Sequence, residues 1–189
     1  MLHRRPTVKF LLEDRPQDLL AVAGLGSSTW DLSAAGDDAR NFGFIGAMGQ
    51  AAPFALGLAI AQPTKRVVLI TGDGEILMSL GILATIANVA PKNLCLVVLD
   101  NESYSETGGQ PTATSGPTDL ELMAKGAGFA STSTIRHDSE LSTLREIMRA
   151  PNVLHFANIK IVTEQLPLVF PHSFDGVTAV NRFRDAAMA

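Results

Sequence analysis

Two unbroken apolar runs constrain this chain more than any other feature. Arg66–Thr71 reads RVVLIT and Asn93–Leu99 reads NLCLVVL. A strand with one face in water alternates apolar and polar side chains. A run that is apolar at nearly every position is buried on both faces, which is the habit of parallel sheets covered by helices. Further strands are expected over Asp18–Ala23, Asn41–Ile45, Ala130–Ile135 and Val153–Val162. Helices are expected over Thr7–Asp14, Thr29–Ala35, Gly49–Ala61, Glu75–Val89, Asp119–Gly126 and Asp138–Arg149. Asn101–Pro117 reads as a polar loop. The tail from about Thr163 carries Pro167, Pro171 and Gly176, then a short basic helix near Val180–Met188. The alternation predicts a single α/β domain over residues 1–189, with a mostly parallel sheet and helices on both faces.

Composition narrows the function classes. Lys and Arg number 15 and Asp and Glu 19, a net charge of −4, and no basic run exists. A nucleic-acid-binding face is therefore not expected. One cysteine, Cys95, excludes an internal disulfide or a multi-cysteine metal site and reads as an inert core thiol. No apolar stretch is long enough for a membrane span, and Met1–Pro6 lacks the apolar core of a secretory signal. A cytoplasmic protein is expected. Charged residues are 18% of the chain, a low share that suits a dimer or hetero-oligomer, with apolar helices around Phe54–Ile60 and Ile76–Ile86 as interface candidates.

Ligands of parallel sheets bind at the carboxyl ends of the strands. After RVVLIT come Gly72-Asp73-Gly74-Glu75, opening a helix. The glycines permit a sharp turn, Asp73 is a hard oxygen ligand, and the helix start offers N–H groups to phosphate. Alone, Gly-Asp-Gly is usually only a turn. After NLCLVVL come Asp100-Asn101-Glu102-Ser103-Tyr104, with 25 residues (75 to 99) intervening. That gap fits one helix and one adjacent parallel strand, so it brings Asp73 and Asn101 side by side. A carboxylate, an amide oxygen and a loop carbonyl suit Mg²⁺, which takes its remaining ligands from water and phosphate. The pattern predicts a metal bridging the protein to a diphosphate. Gly24-Leu25-Gly26-Ser27-Ser28 resembles a dinucleotide fingerprint, but Thr29 stands where the third glycine belongs, so Gly26 and Ser27 read better as diphosphate donors.

Gly72-Asp73-Gly74 followed after 25 residues by Asp100-Asn101 resembles the cofactor motif of thiamine diphosphate enzymes. The family pattern usually ends in two asparagines, and the first is Asp100 here. The resemblance implies that Asp73, Asn101 and the carbonyl of Ser103 hold Mg²⁺, and that Gly72, Gly74, Glu75 and Tyr104 belong to the cofactor-binding stretches. Gly46-Ala47-Met48-Gly49 is a second match. It implies that the Gly46 carbonyl binds the aminopyrimidine, beside Ala47, and that Met48 is the apolar wedge beneath the bent cofactor. Glu106-Thr107-Gly108-Gly109-Gln110-Pro111-Thr112 is similar to a loop of sulfopyruvate and phosphonopyruvate decarboxylases. The expected activity is therefore decarboxylation of a small 2-oxoacid, with thiamine diphosphate and Mg²⁺.

In this family the glutamate that activates the pyrimidine lies on a separate pyrimidine-binding domain. One domain has no room for it, so the resemblance implies an α-type partner subunit. Tyr104 and Glu106 are the local candidates for substrate contact or proton transfer. Glu75 reads as a helix-start carboxylate turned away from diphosphate, Trp30 as a core residue, and His172 as a minor candidate for covering the site. Arg182 and Arg184 read as a solvated helix face. Rival readings remain open: a carboligase or acyltransferase subunit with the same cofactor, a non-catalytic assembly subunit, and a dinucleotide-binding module.

Overall fold

The computed structural model describes residues 1–189. In chain order the elements are α1 Arg4–Leu12, β1 Leu19–Ala23, α2 Ser27–Ala34, β2 Asn41–Gly43, α3 Ala51–Ala61, β3 Arg66–Gly72, α4 Asp73–Met78 and α5 Ile82–Val89. There follow β4 Leu94–Asp100, β5 Ser103–Tyr104, β6 Gln110–Pro111, α6 Leu120–Ala127, β7 Thr132–Ile135, α7 Leu141–Arg149, β8 His155–Lys160 and α8 Gly176–Met188. Six strands form one sheet in the order β2-β1-β3-β4-β8-β7, and every pairing in it is parallel.

The apolar strands divide their side chains between two cores, as the two-residue strand period requires. Val68, Ile70, Cys95, Val97 and Leu99 face the layer of α1, α2 and α7. Val67, Leu69, Leu94, Leu96 and Val98 face the layer of α3, α4, α5 and α6. A third, smaller cluster joins Leu20 of β1 to Phe183 and Ala187 of α8, which lies along the β2 edge. No helix is long and apolar enough to cross a membrane.

Several expected elements differ in detail. The helix expected over Glu75–Val89 is two, broken at Ser79–Gly81, where the Gly49 loop packs against Met78 and Ser79. Helix α1 starts at Arg4 rather than Thr7, because Pro6 is tolerated in a first turn. The strand expected over Asn41–Ile45 stops at Gly43, and the tail helix starts four residues before Val180, capped by the Asp175 carboxylate. Residues 101–117 are not featureless: β5 and β6 pair as an antiparallel ribbon, flanked by short 3₁₀ turns.

At the opposite end of the sheet from the strands' carboxyl edge, His155 is almost wholly buried, with its ring nitrogens at 2.8 Å from Ser131 Oγ and 3.0 Å from Ser133 Oγ. Burial, reinforced by the nearby Arg66 guanidinium, pushes its pKa down to about 4. The fold holds the neutral ring, so this group's contribution is complete above the ordinary histidine range, near pH 6.5, and is lost as pH falls toward 4. In urea titrations, the wild type is expected to lose stability relative to His155→Gln across that window. A constant difference between the two proteins would refute this.

Candidate functional site

The register of β3 on β4 pairs Thr71 with Val98 and Gly72 with Leu99, so the residues that follow, Asp73 and Asp100-Asn101, leave the sheet side by side. The carboxyl ends of these strands and the loop after β1 surround a cavity of about 130 Å³. Of the expected residues, Gly26, Ser27, Met48, Gly72, Asp73, Gly74, Glu75, Asn101, Ser103, Tyr104 and Glu106 line it. Gly46 and Ala47 do not. They stand outside on the same loop as Met48, with Gly46 exposed.

Asp73 is 1% exposed, and no Arg, Lys or His pairs with it. Its Oδ2 accepts a hydrogen bond from Thr112 Oγ1 at 2.5 Å and lies 3.0 Å from Thr114 Oγ1. Thr114 Oγ1 also lies 2.8 Å from Asp100 Oδ1. The other oxygen of Asp100 accepts from Asn158 Nδ2 at 3.0 Å and pairs with Lys160 Nζ at 2.8 Å. Burial raises the Asp73 pKa, against the Thr112 hydroxyl, and the Asp100 charge raises it further. A buried carboxylate with no cationic partner is costly unless something else neutralises it.

The ribbon supplies the rest of the rim. Asn101 Oδ1 accepts from the Ser103 backbone N–H at 3.1 Å and its amide donates to Ser105 Oγ at 2.6 Å. Ser103 and Pro111 stand opposite one another as a non-hydrogen-bonded pair, flanked by the bond from Thr112 N–H to the Glu102 carbonyl, so the Ser103 carbonyl is turned away from the partner strand. Its hydroxyl is buried and unpartnered. The Tyr104 ring lies directly on Gly74: a Cβ there would sit 2.4 Å from the ring. Glu106 reaches across the cavity mouth and accepts from Ser27 Oγ at 2.8 Å.

Glu75 lines the cavity but turns inward. Its Oε2 accepts from Thr71 Oγ1 at 3.0 Å, and a Cβ at Gly24 would sit 1.8 Å from that oxygen. Burial raises its pKa, and Oε1 has no partner of good geometry. It therefore packs the strand ends together, and is not a free ligand group.

Sequence reasoning missed the support of Asp73. Thr112 and Thr114 contact its carboxylate, and Asn158 and Lys160 hold the neighbouring Asp100. Arg4, 5% exposed, also lines the cavity, donating to Asp31 Oδ2 at 2.6 Å and to the Ser27 carbonyl at 3.3 Å. Nothing in an isolated threonine or N-terminal arginine signals such contacts. Three further expectations resolve elsewhere. Trp30 packs on Phe170 and Phe174 of the tail and not in either core. His172 lines a separate cavity beneath that tail, with Asp37 and Arg182, and does not cover the Asp73 cleft. Cys95 is fully buried, its thiol pushed up to about 12 by burial.

The arrangement fits a cation shared with an anionic ligand. No group of three or more His, Cys, Asp or Glu side chains is placed to hold a metal alone. Asp73 with its uncompensated carboxylate, Asn101 with its amide and Ser103 all line the cavity, a donor set that suits a hard cation completing its shell from phosphate and water.

The Gly24–Glu75 contact is testable. Gly24→Ala is expected to cost about 1–3 kcal/mol in chemical denaturation, as overpacking of a buried contact does. In the Gly24→Ala/Glu75→Ala double variant the two costs should sum to less than their separate values. Strict additivity would mean that the carboxylate is not the obstacle.

Comparison with known proteins agrees with this geometry. Residues 24–156 match the family described as thiamine pyrophosphate enzyme, C-terminal TPP binding domain. The sulfopyruvate decarboxylase subunit beta of Methanocaldococcus jannaschii is 41% identical over 67% of this chain and 67% of its own length. The protein of the same name from Methanothermobacter thermautotrophicus is 34% identical over 88% of this chain and 86% of its own length. A solved thiamin diphosphate-dependent enzyme structure from Mycobacterium smegmatis superposes with a TM-score of 0.67, at 22% identity, over 86% of this chain and 32% of that one, which bears on the fold alone. The chain belongs to the thiamine pyrophosphate enzymes, as a C-terminal-type TPP-binding domain.

Proposed function

We propose that this chain is the diphosphate-binding subunit of a heteromeric, cytoplasmic thiamine diphosphate-dependent 2-oxoacid decarboxylase. The observation that carries the reading is one cavity lined by Asp73, Asn101 and Ser103 at two adjacent strand ends, in a chain similar along most of its length to sulfopyruvate decarboxylase beta subunits. Its substrate class on that likeness is a short 2-oxoacid with a second anionic group. The sequence resemblance extends this to phosphonopyruvate.

Asp73, Asn101 and Ser103 would hold Mg²⁺. Gly26, Ser27, Gly72 and Gly74 would receive the diphosphate with backbone N–H groups and the Ser27 hydroxyl. Met48, at the cavity wall, is the wedge, and Gly46 and Ala47 are assigned to the pyrimidine end on the resemblance alone. When bound, thiamine diphosphate supplies the electron sink that lets a 2-oxoacid lose CO₂. Ser27 Oγ, which now donates to Glu106, has one proton to give. Ser27 would give that proton to the diphosphate with the cofactor in place, and Glu106, beside Tyr104 on the cavity wall, would then be free to meet the substrate.

Two glutamates line the cavity, and neither is placed to activate a pyrimidine: Glu75 is packed against Thr71 and Gly24, and Glu106 is tied to Ser27. This supports a pyrimidine-binding, α-type partner that brings the activating carboxylate. Exposed Ile45, Ile60 and Met78 offer apolar surface to it, Ile45 beside the cavity loop and Met78 at the end of α4.

Calorimetric titration with thiamine diphosphate, with and without Mg²⁺, tests the reading. Binding is expected to require Mg²⁺ and to be lost in Asp73→Ala. Mg²⁺-independent binding of NAD, or no cofactor binding either alone or with the partner subunit, would overturn it.

A further inference from the structure

The hydroxyls around Asp73 are fewer than the contacts they make. Four oxygen–oxygen contacts link the cluster: Thr112 to Asp73 at 2.5 Å, Thr114 to Asp73 at 3.0 Å, Thr112 to Thr114 at 2.9 Å and Thr114 to Asp100 at 2.8 Å. Two threonines have two hydroxyl protons between them, and ionised carboxylates have none. The two shortest contacts take those protons, so Thr112 donates to Asp73 and Thr114 donates to Asp100. All four residues are at most 4% exposed, so the cluster is closed to bulk water.

The cluster therefore treats the two oxygens of Asp73 differently. Oδ2 is enclosed by both threonines, and no side chain donates to Oδ1. Thr114 also spans two strand ends, because Asp100 closes β4 while Asp73 follows β3. Asp100 is in turn fixed by Asn158 and Lys160 from β8. The chain of contacts runs from β8 through Asp100 and Thr114 to Asp73.

We propose that Thr112 and Thr114 are positioning residues for the cation: the Thr112 hydroxyl occupies one oxygen of Asp73 and leaves the other to the metal, and Thr114, packed against that same oxygen while donating to Asp100, ties the setting to β4. The inference rests on the cofactor reading above and goes beyond it, because neither threonine touches the metal or the reacting atoms. It also gives a role to aspartate at position 100. An acceptor on both oxygens takes a proton from Thr114 and holds Lys160, which an asparagine there would do less well.

The test measures Mn²⁺ binding to the full chain by electron paramagnetic resonance, with thiamine diphosphate present. Thr112→Val and Thr114→Val keep the shape and remove the hydroxyl. Each is expected to raise the Mn²⁺ dissociation constant about tenfold or more, the usual effect of losing a group that orients a metal ligand. Thr112→Ser and Thr114→Ser should restore it, and Thr→Ala at either site serves if the valine variant does not fold. Loss of thermal stability with unchanged Mn²⁺ affinity would mean a purely structural role and would overturn the inference. Asp73→Asn separates the two levels. If it abolishes Mn²⁺ binding while the threonine variants retain it, the inference alone fails. If the wild type binds no Mn²⁺ either alone or with the partner subunit, or Asp73→Asn binds it as well as wild type, the cofactor reading fails and the inference with it.

Discussion

The pairing of β3 with β4 is the constraint on which the rest depends. Both strands are buried on both faces, and their register is set by the packing of two separate cores. A slip of one residue would send Val68, Ile70, Cys95 and Val97 to the wrong layer, so the register is expensive to change. That same register brings Asp73 next to Asp100-Asn101. The site inherits its geometry from hydrophobic packing some residues away, and the polar groups only complete it.

Two buried carboxylates at the end of β3 and the start of α4 are handled in opposite ways. Glu75 is turned inward, with the Thr71 hydroxyl as donor and a glycine cleared to make room for it. Asp73 is turned toward the cavity and is left without a counter-charge. Burial raises the pKa of both. The first arrangement is that of a strut, the second that of a ligand. Placed two residues apart on one short helix, they separate support from binding at the same strand end.

The layered parallel fold was legible because it rests on periodicity: RVVLIT and NLCLVVL leave few alternatives. Asp73 and Asn101 were legible as a pair because strand, helix and strand have narrow length ranges. What was not legible is contact between residues distant in sequence and unremarkable in type. Thr114 meets Asp73 and Asp100, Arg4 meets Asp31 and Ser27, and Trp30 meets a tail that reads as irregular. The break at Ser79–Gly81 was hidden because the apolar pattern runs on through it, and the loop of Gly49 that meets Met78 and Ser79 there is distant in sequence. Glu75 is the instructive case. A helix-start carboxylate predicts an orientation away from diphosphate, and the clash geometry at Gly24 explains where the side chain goes instead.

The last helix has a consequence for growth of the sheet. Phe183 and Ala187 seat α8 against Leu20 of β1 and Phe42 of β2, so the chain itself covers part of the sheet face beside the β2 border. The opposite border, β7, is four residues long, and Glu121 accepts from the Thr132 and Thr134 hydroxyls along it. Border strands of three residues at β2 and four at β7 leave only a short ladder of peptide groups for a foreign strand to pair with. Side-chain relief is the larger part of what such a sheet presents for recognition.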